Sequence, residues 1–235
     1  MCGIVVALPG YAELELPTEI EQHRFDTSDL VTFNLADLDE VHAPARLAEV
    51  AAGLTALRKE FERPSTIGRL ANDRALLGRF VHEIDDASRW TAVLDGEVAS
   101  LDSWSVEGVE RTQEALRVVV DALWAVRHDV LGLIDEIPRL ANRSVGTRAA
   151  VSYLAILRVL SALNRLEVRG RDSAGVSVWV SLDPTDAATV DLEGRDDLLL
   201  RGGSAIPVTK GVAFLYKHAA IVGRLGDNSL RSLRA

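Results

Sequence analysis

The sequence predicts an α+β protein, with a large helical block set between strand-forming ends. Two observations carry this reading. Apolar residues recur at intervals of three and four through most of residues 43–166, which places them on one face of successive helices. Short runs rich in β-branched residues stand outside that block, at residues 2–8 and 176–180, where strand geometry suits them.

The first strand is read from Cys2-Gly3-Ile4-Val5-Val6-Ala7-Leu8, an apolar run stopped by Pro9-Gly10. Residues 10–40 are acidic and irregular in pattern. Leu47, Val50, Leu54 and Leu57 then share a helical face; Pro64 breaks that helix, and Ser65 or Thr66 is placed to cap the next. Ile67, Leu70, Leu76, Leu77, Phe80, Val81 and Ile84 continue a second helical stretch through Gly68 and Gly78. A third runs from about Val106 to Ile137 on the stripe Val109, Leu116, Val119, Val120, Leu123, Val126, Val130, Leu133 and Ile134, and Pro138 ends or kinks it. Between about 42 and 138 these helices are expected to form an antiparallel bundle or long hairpin. Another helix covers about 147–166, with Val151, Leu154, Leu157, Leu160 and Leu163 in phase. Val176-Ser177-Val178-Trp179-Val180 alternates as a strand does, residues 191–200 form a weaker strand candidate, and residues 212–225 read as a last helix closed by Gly226.

Composition narrows the function classes. Of 235 residues, 48% are hydrophobic and 26% charged, the makeup of a globular protein long enough for a sizeable core in one large domain or two small ones. No apolar run approaches the roughly 20 residues of a membrane-spanning helix. The apolar start lacks a basic flank and ends too early for a secretory signal, so a cytoplasmic location is expected. The formal net charge is −9, and residues 1–160 hold 16 basic against 26 acidic side chains. Without a basic stripe the chain is a poor fit to nucleic acid or to an anionic membrane surface.

Cys2 is the one cysteine. A single thiol forms no internal disulfide and no thiolate metal cluster. Removal of Met1 would make Cys2 the amino terminus, with a thiol and a free α-amine on one residue. The plainer reading is a small hydrophobe that begins a buried strand. The turn Arg169-Gly170-Arg171-Asp172-Ser173-Ala174-Gly175 also has two readings. Gly170 tolerates positive φ, and Asp172 or Ser173 can bond nearby backbone, which makes a helix-to-strand connection with no chemical role.

Together the two segments resemble class II glutamine amidotransferases. Met1-Cys2-Gly3-Ile4-Val5 is similar to the start of that family, in which the processed N-terminal Cys is the nucleophile. Leu163-Asn164-Arg165-Leu166-Glu167-Val168-Arg169-Gly170-Arg171-Asp172-Ser173-Ala174-Gly175-Val176 is similar to the family's Leu-Glu-Tyr-Arg-Gly-Tyr-Asp-Ser-Ala-Gly segment. That wording is closest to the glutamine:fructose-6-phosphate aminotransferase (glucosamine-6-phosphate synthase) type, ahead of the amidophosphoribosyltransferases with their Arg-Gly-Gln-Asp version. The resemblance implies an N-terminal-nucleophile αββα sandwich, here incomplete, with Cys2 catalytic and Arg169 and Gly170 supporting the nucleophile. It implies glutamine as substrate, no cofactor, and a sugar-phosphate acceptor such as fructose 6-phosphate bound by a domain outside this chain.

The resemblance covers residues 1–8 and about 145–235. In the family a short strand-and-helix connection joins the two motifs. Here residues 1–9 are therefore expected to supply the first strand, 10–140 an acidic helical insertion, and 141–235 the continuation of the glutaminase domain. The family's His-Thr-Arg-Trp-Ala-Thr-His-Gly and Asn-Gly strings do not occur between Val176 and Ala235. The expectation is a fragment of a longer enzyme, or one completed by a second polypeptide, and inactive in isolation. The alternative is a catalytically incomplete remnant whose insert binds a protein partner or another copy of the chain.

Other candidates have no chemical role in this reading. His23, His42, His82, His128 and His218 are scattered, and His82-Glu83-Ile84-Asp85-Asp86 lacks the second His of a zinc helix, so no metal site is expected. Gly202-Gly203-Ser204 lacks the Lys-Ser/Thr of a phosphate-binding loop. Trp90, Trp104 and Trp124 are expected in the helical core, and the acidic residues on a solvated face.

Overall fold

Asp39 opens the helical part of the molecule in the computed structural model, which describes residues 4–6, 39–166, 174–182 and 205–218. Its Oδ1 accepts the N–H groups of Val41 (2.9 Å) and His42 (2.8 Å), donors that a helix start leaves without intrahelical partners. Helix α1 follows (His42–Phe61) and buries Leu47, Val50, Leu54 and Leu57, the face its spacing predicts.

Helix α2 (Pro64–Asn72) begins with its proline in the first turn, where the missing N–H costs nothing. Extended Arg63 precedes it, so neither Ser65 nor Thr66 is the cap that the sequence suggested. The second helical stretch is also two helices rather than one. Asp73 breaks it, and its Oδ1 accepts the N–H of Leu76 at 2.9 Å to start α3 (Arg74–Ala99). Ser105 caps α4 (Val106–Trp124) in the same way, its Oγ accepting from Gly108 N–H at 3.1 Å.

Seven residues in π-helical conformation, Ala125–Leu131, join α4 to α5 (Gly132–Ala141). The wider turn shifts the phase of the apolar stripe. Leu131 and Ile137 are consequently buried and Leu133 is only half-buried, a correction to the predicted stripe; Val120 is likewise exposed. Pro138 does not end this helix, which runs on to Ala141. Asn142 follows with φ 53°, the left-handed conformation that commonly terminates helices.

The chain divides into two compact units: Leu16–Asp135, and Met1–Glu15 together with Glu136–Ala235, so the first interrupts the second in sequence. In the helical unit α4 packs against both α1 and α3, the π turn also touches both, and α2 packs on α1 and α3. Phe61 and Phe80 meet edge to face, with centroids 4.9 Å apart, closing the core where α1 ends. Buried Thr91 and Thr112 turn their hydroxyls onto the carbonyls of Ser88 (2.8 Å) and Gly108 (2.9 Å), which spares both a desolvation penalty.

The second unit holds helix α6 (Thr147–Leu166) and a four-stranded sheet. Val151, Leu154, Leu157 and Leu160 of α6 are buried, in the predicted phase. The strands are β1 (Ile4–Val6), β2 (Ala174–Ser181), β3 (Ala205–Val208) and β4 (Gly211–His218), in the order β1-β2-β4-β3. β1 runs parallel to β2, whereas β4 is antiparallel to both β2 and β3. The first strand and the strand over 176–180 are thus present, but residues 211–218 are a strand, not the start of a helix. The strand candidate at 191–200 and the loop at Gly202 to Ser204 lie outside the described residues.

Gly211 explains the hairpin. Its φ is +149°, and a Cβ there would lie 1.9 Å from the Val180 carbonyl oxygen, so only glycine lets β4 come in beside β2 after the two-residue turn Thr209-Lys210. The two faces of the sheet differ. Val176 and Val178 are buried on one, with Val212 beside them by register. On the other, Trp179 is 56% exposed, and Leu215, Ile206 and Val208 are exposed around buried Ala213.

Candidate functional site

The site read from the sequence depends on two short segments meeting. Cys2, Arg169, Gly170, Asp172 and Ser173 themselves lie outside the described residues, so their side-chain geometry does not enter. The strands that follow each segment are described. β1 begins two residues after Cys2, and β2 begins one residue after Ser173. They are neighbours, parallel, with Ile4 opposite Val176, Val5 opposite Ser177 and Val6 opposite Val178. Parallel pairing in that register means that both strands are entered from the same end of the sheet. Segments separated in sequence by more than 160 positions therefore lead into adjacent strands about 4.8 Å apart.

Local sequence accounts for this arrangement. The β-branched residues of β1 and β2 favour extended backbone. A parallel pair needs a crossover, because a tight turn cannot join strands that run the same way. Here the crossover contains the whole helical unit and then α6, whose last residue, Leu166, stands eight residues before Ala174. Within β2, Trp179 Nε1 donates to Ser177 Oγ at 3.0 Å, which gives that serine a structural partner on the open face.

Elsewhere the polar groups have structural roles. Glu40 is a carboxylate with no role in the sequence analysis. Its Oε2 accepts from both the N–H and the Oγ of Ser105, each at 2.7 Å, across 65 residues. These bonds hold its carboxyl below the ordinary glutamate value of 4.5, helped by the charge of nearby Arg111. Asp39 is lowered likewise, first by the backbone N–H of His42 and then by that residue's side chain. Asp39 is exposed and Glu40 half-buried, and both secure helix starts. No signal in the sequence marks the Glu40 contact, since it depends on Gly108 leaving room for the carboxylate.

Among the described residues, no three His, Cys, Asp or Glu side chains gather as a metal ion would require. His82 faces Asp86 at 3.5 Å along an exposed surface of α3, a contact between adjacent helical turns. Other acidic residues of the helical unit pair with arginines one turn away, among them Glu49 with Arg46 and Glu114 with Arg117, and such exposed pairs contribute little. Arg127 differs: from the π turn its Nε reaches Asp85 on α3 at 2.8 Å, half-buried, and ties the turn to the bundle. Trp124 is not the core residue that sequence reading expected; it is half-exposed, with its ring 5.1 Å from that of His128. Trp90 and Trp104 are half-buried. No described helix is long and apolar enough to cross a membrane.

Compared with models of known protein families, with curated proteins and with solved structures, the chain finds no match.

Proposed function

We propose that this chain is the glutaminase part of a glutamine amidotransferase, with Cys2 as its nucleophile. The observation that carries the reading is the parallel pairing of β1 with β2, Ile4 opposite Val176. It brings the strand behind the Met-Cys-Gly start beside the strand behind the Arg-Gly-x-Asp-Ser-Ala-Gly turn, as a site built from both segments needs. The fold that accompanies this reading is an N-terminal-nucleophile αββα sandwich, of which the β1-β2-β4-β3 sheet would be one layer.

The chemistry follows from the residue types. Glutamine's side-chain amide is a poor electrophile, so its cleavage near neutral pH needs a strong nucleophile. With Met1 removed, the α-amine of Cys2, whose reference pKa is near 8, takes the thiol proton as sulfur attacks the amide carbon. Collapse of the tetrahedral intermediate breaks the C–N bond, and the same proton leaves with nitrogen as ammonia. A γ-glutamyl thioester remains, and water hydrolyses it to glutamate and restores the thiol. Arg169, close to the nucleophile in this reading, favours the thiolate by its charge; Gly170 shapes the turn, and Asp172 and Ser173 fix it. No cofactor takes part. The ammonia passes to a sugar-phosphate acceptor such as fructose 6-phosphate, held by another domain, in the cytoplasm.

The test is release of ammonia from glutamine by the protein purified from its native source. Cys2→Ala should reduce it to background, and Arg169→Ala should slow it. Undiminished activity in Cys2→Ala would overturn the assignment.

A second reading rests on the compactness of Leu16–Asp135 as a unit of its own. In that reading the helical unit binds a protein partner or a second copy, and the sheet unit is scaffold. It predicts that Cys2→Ala leaves function intact, whereas substitutions on the helical surface, such as Trp124→Ala, do not.

A further inference from the structure

We draw no further inference here: the strongest candidate, the open face of the sheet where Trp179, Ile206, Val208 and Leu215 are exposed around Ala213, carries nothing because nothing among the described residues shows what covers it.

Discussion

Glu40 accepts two hydrogen bonds on one oxygen from Ser105, and that oxygen occupies the place where a Cβ on Gly108 would stand. The consequence is a testable dependence on pH. The folded pKa values of Glu40 and Asp39 both lie below their ordinary values, so their contribution is complete above the unfolded carboxyl range and is lost as pH falls through the folded values. Thermal unfolding followed from pH 7 to pH 2 should therefore show the midpoint falling below about pH 4.5, and Glu40→Gln should blunt that fall. A variant with the unaltered acid profile would show that the Glu40 contact has no energetic weight. Gly108 supplies the complementary experiment. Alanine there must displace the Glu40 side chain, so Gly108→Ala should destabilise, despite alanine's better helix propensity. Gly78 of α3 has open space where a Cβ would go, and Gly78→Ala should stabilise by about 0.5–1 kcal/mol in urea unfolding. If both substitutions moved stability in the same direction, the steric account of Gly108 would fail.

Helices and strands differ in how much of them the sequence discloses. The 3–4 spacing of Leu47, Val50, Leu54 and Leu57 is a helical pattern with one reading, and α6 begins and ends at the residues its periodicity marks, Thr147 and Leu166. Interruptions are harder to see. Asp73 splits α2 from α3 through one side-chain bond, and the π turn holds no Gly or Pro within it, only Gly132 directly after. Pro138 shows the opposite case, since it sits inside α5 three positions before its end and does not stop the helix. β4 was hidden because Val212, Ala213, Phe214 and Leu215 form an unbroken apolar run, which periodicity does not resolve between helix and strand. What decides it is the conformation of Gly211. Gly211→Ala should therefore cost roughly 2 kcal/mol or more, since it combines a strained φ with a clash against the Val180 carbonyl. Loss of amide-exchange protection across β2 and β4 would be the accompanying sign, and native-like protection with unchanged stability would contradict this account of the hairpin.

At the scale of the whole molecule, one compact unit interrupts another, and the crossover between parallel β1 and β2 runs through Leu16–Asp135 before it reaches α6. The candidate site is legible in two local strings, Met1-Cys2-Gly3 and Arg169-Gly170-Arg171-Asp172-Ser173, whose side chains carry the proposed chemistry. The pairing of the strands behind them is not, because register is a tertiary property set by which faces are buried. The most direct measurement is the intact mass of the natively purified protein before and after incubation with a glutamine-mimicking electrophile. The account predicts that the initiating methionine is absent and that one adduct forms, located on Cys2 and lost in Cys2→Ala. Retained Met1, or labelling that persists in Cys2→Ala, would contradict it.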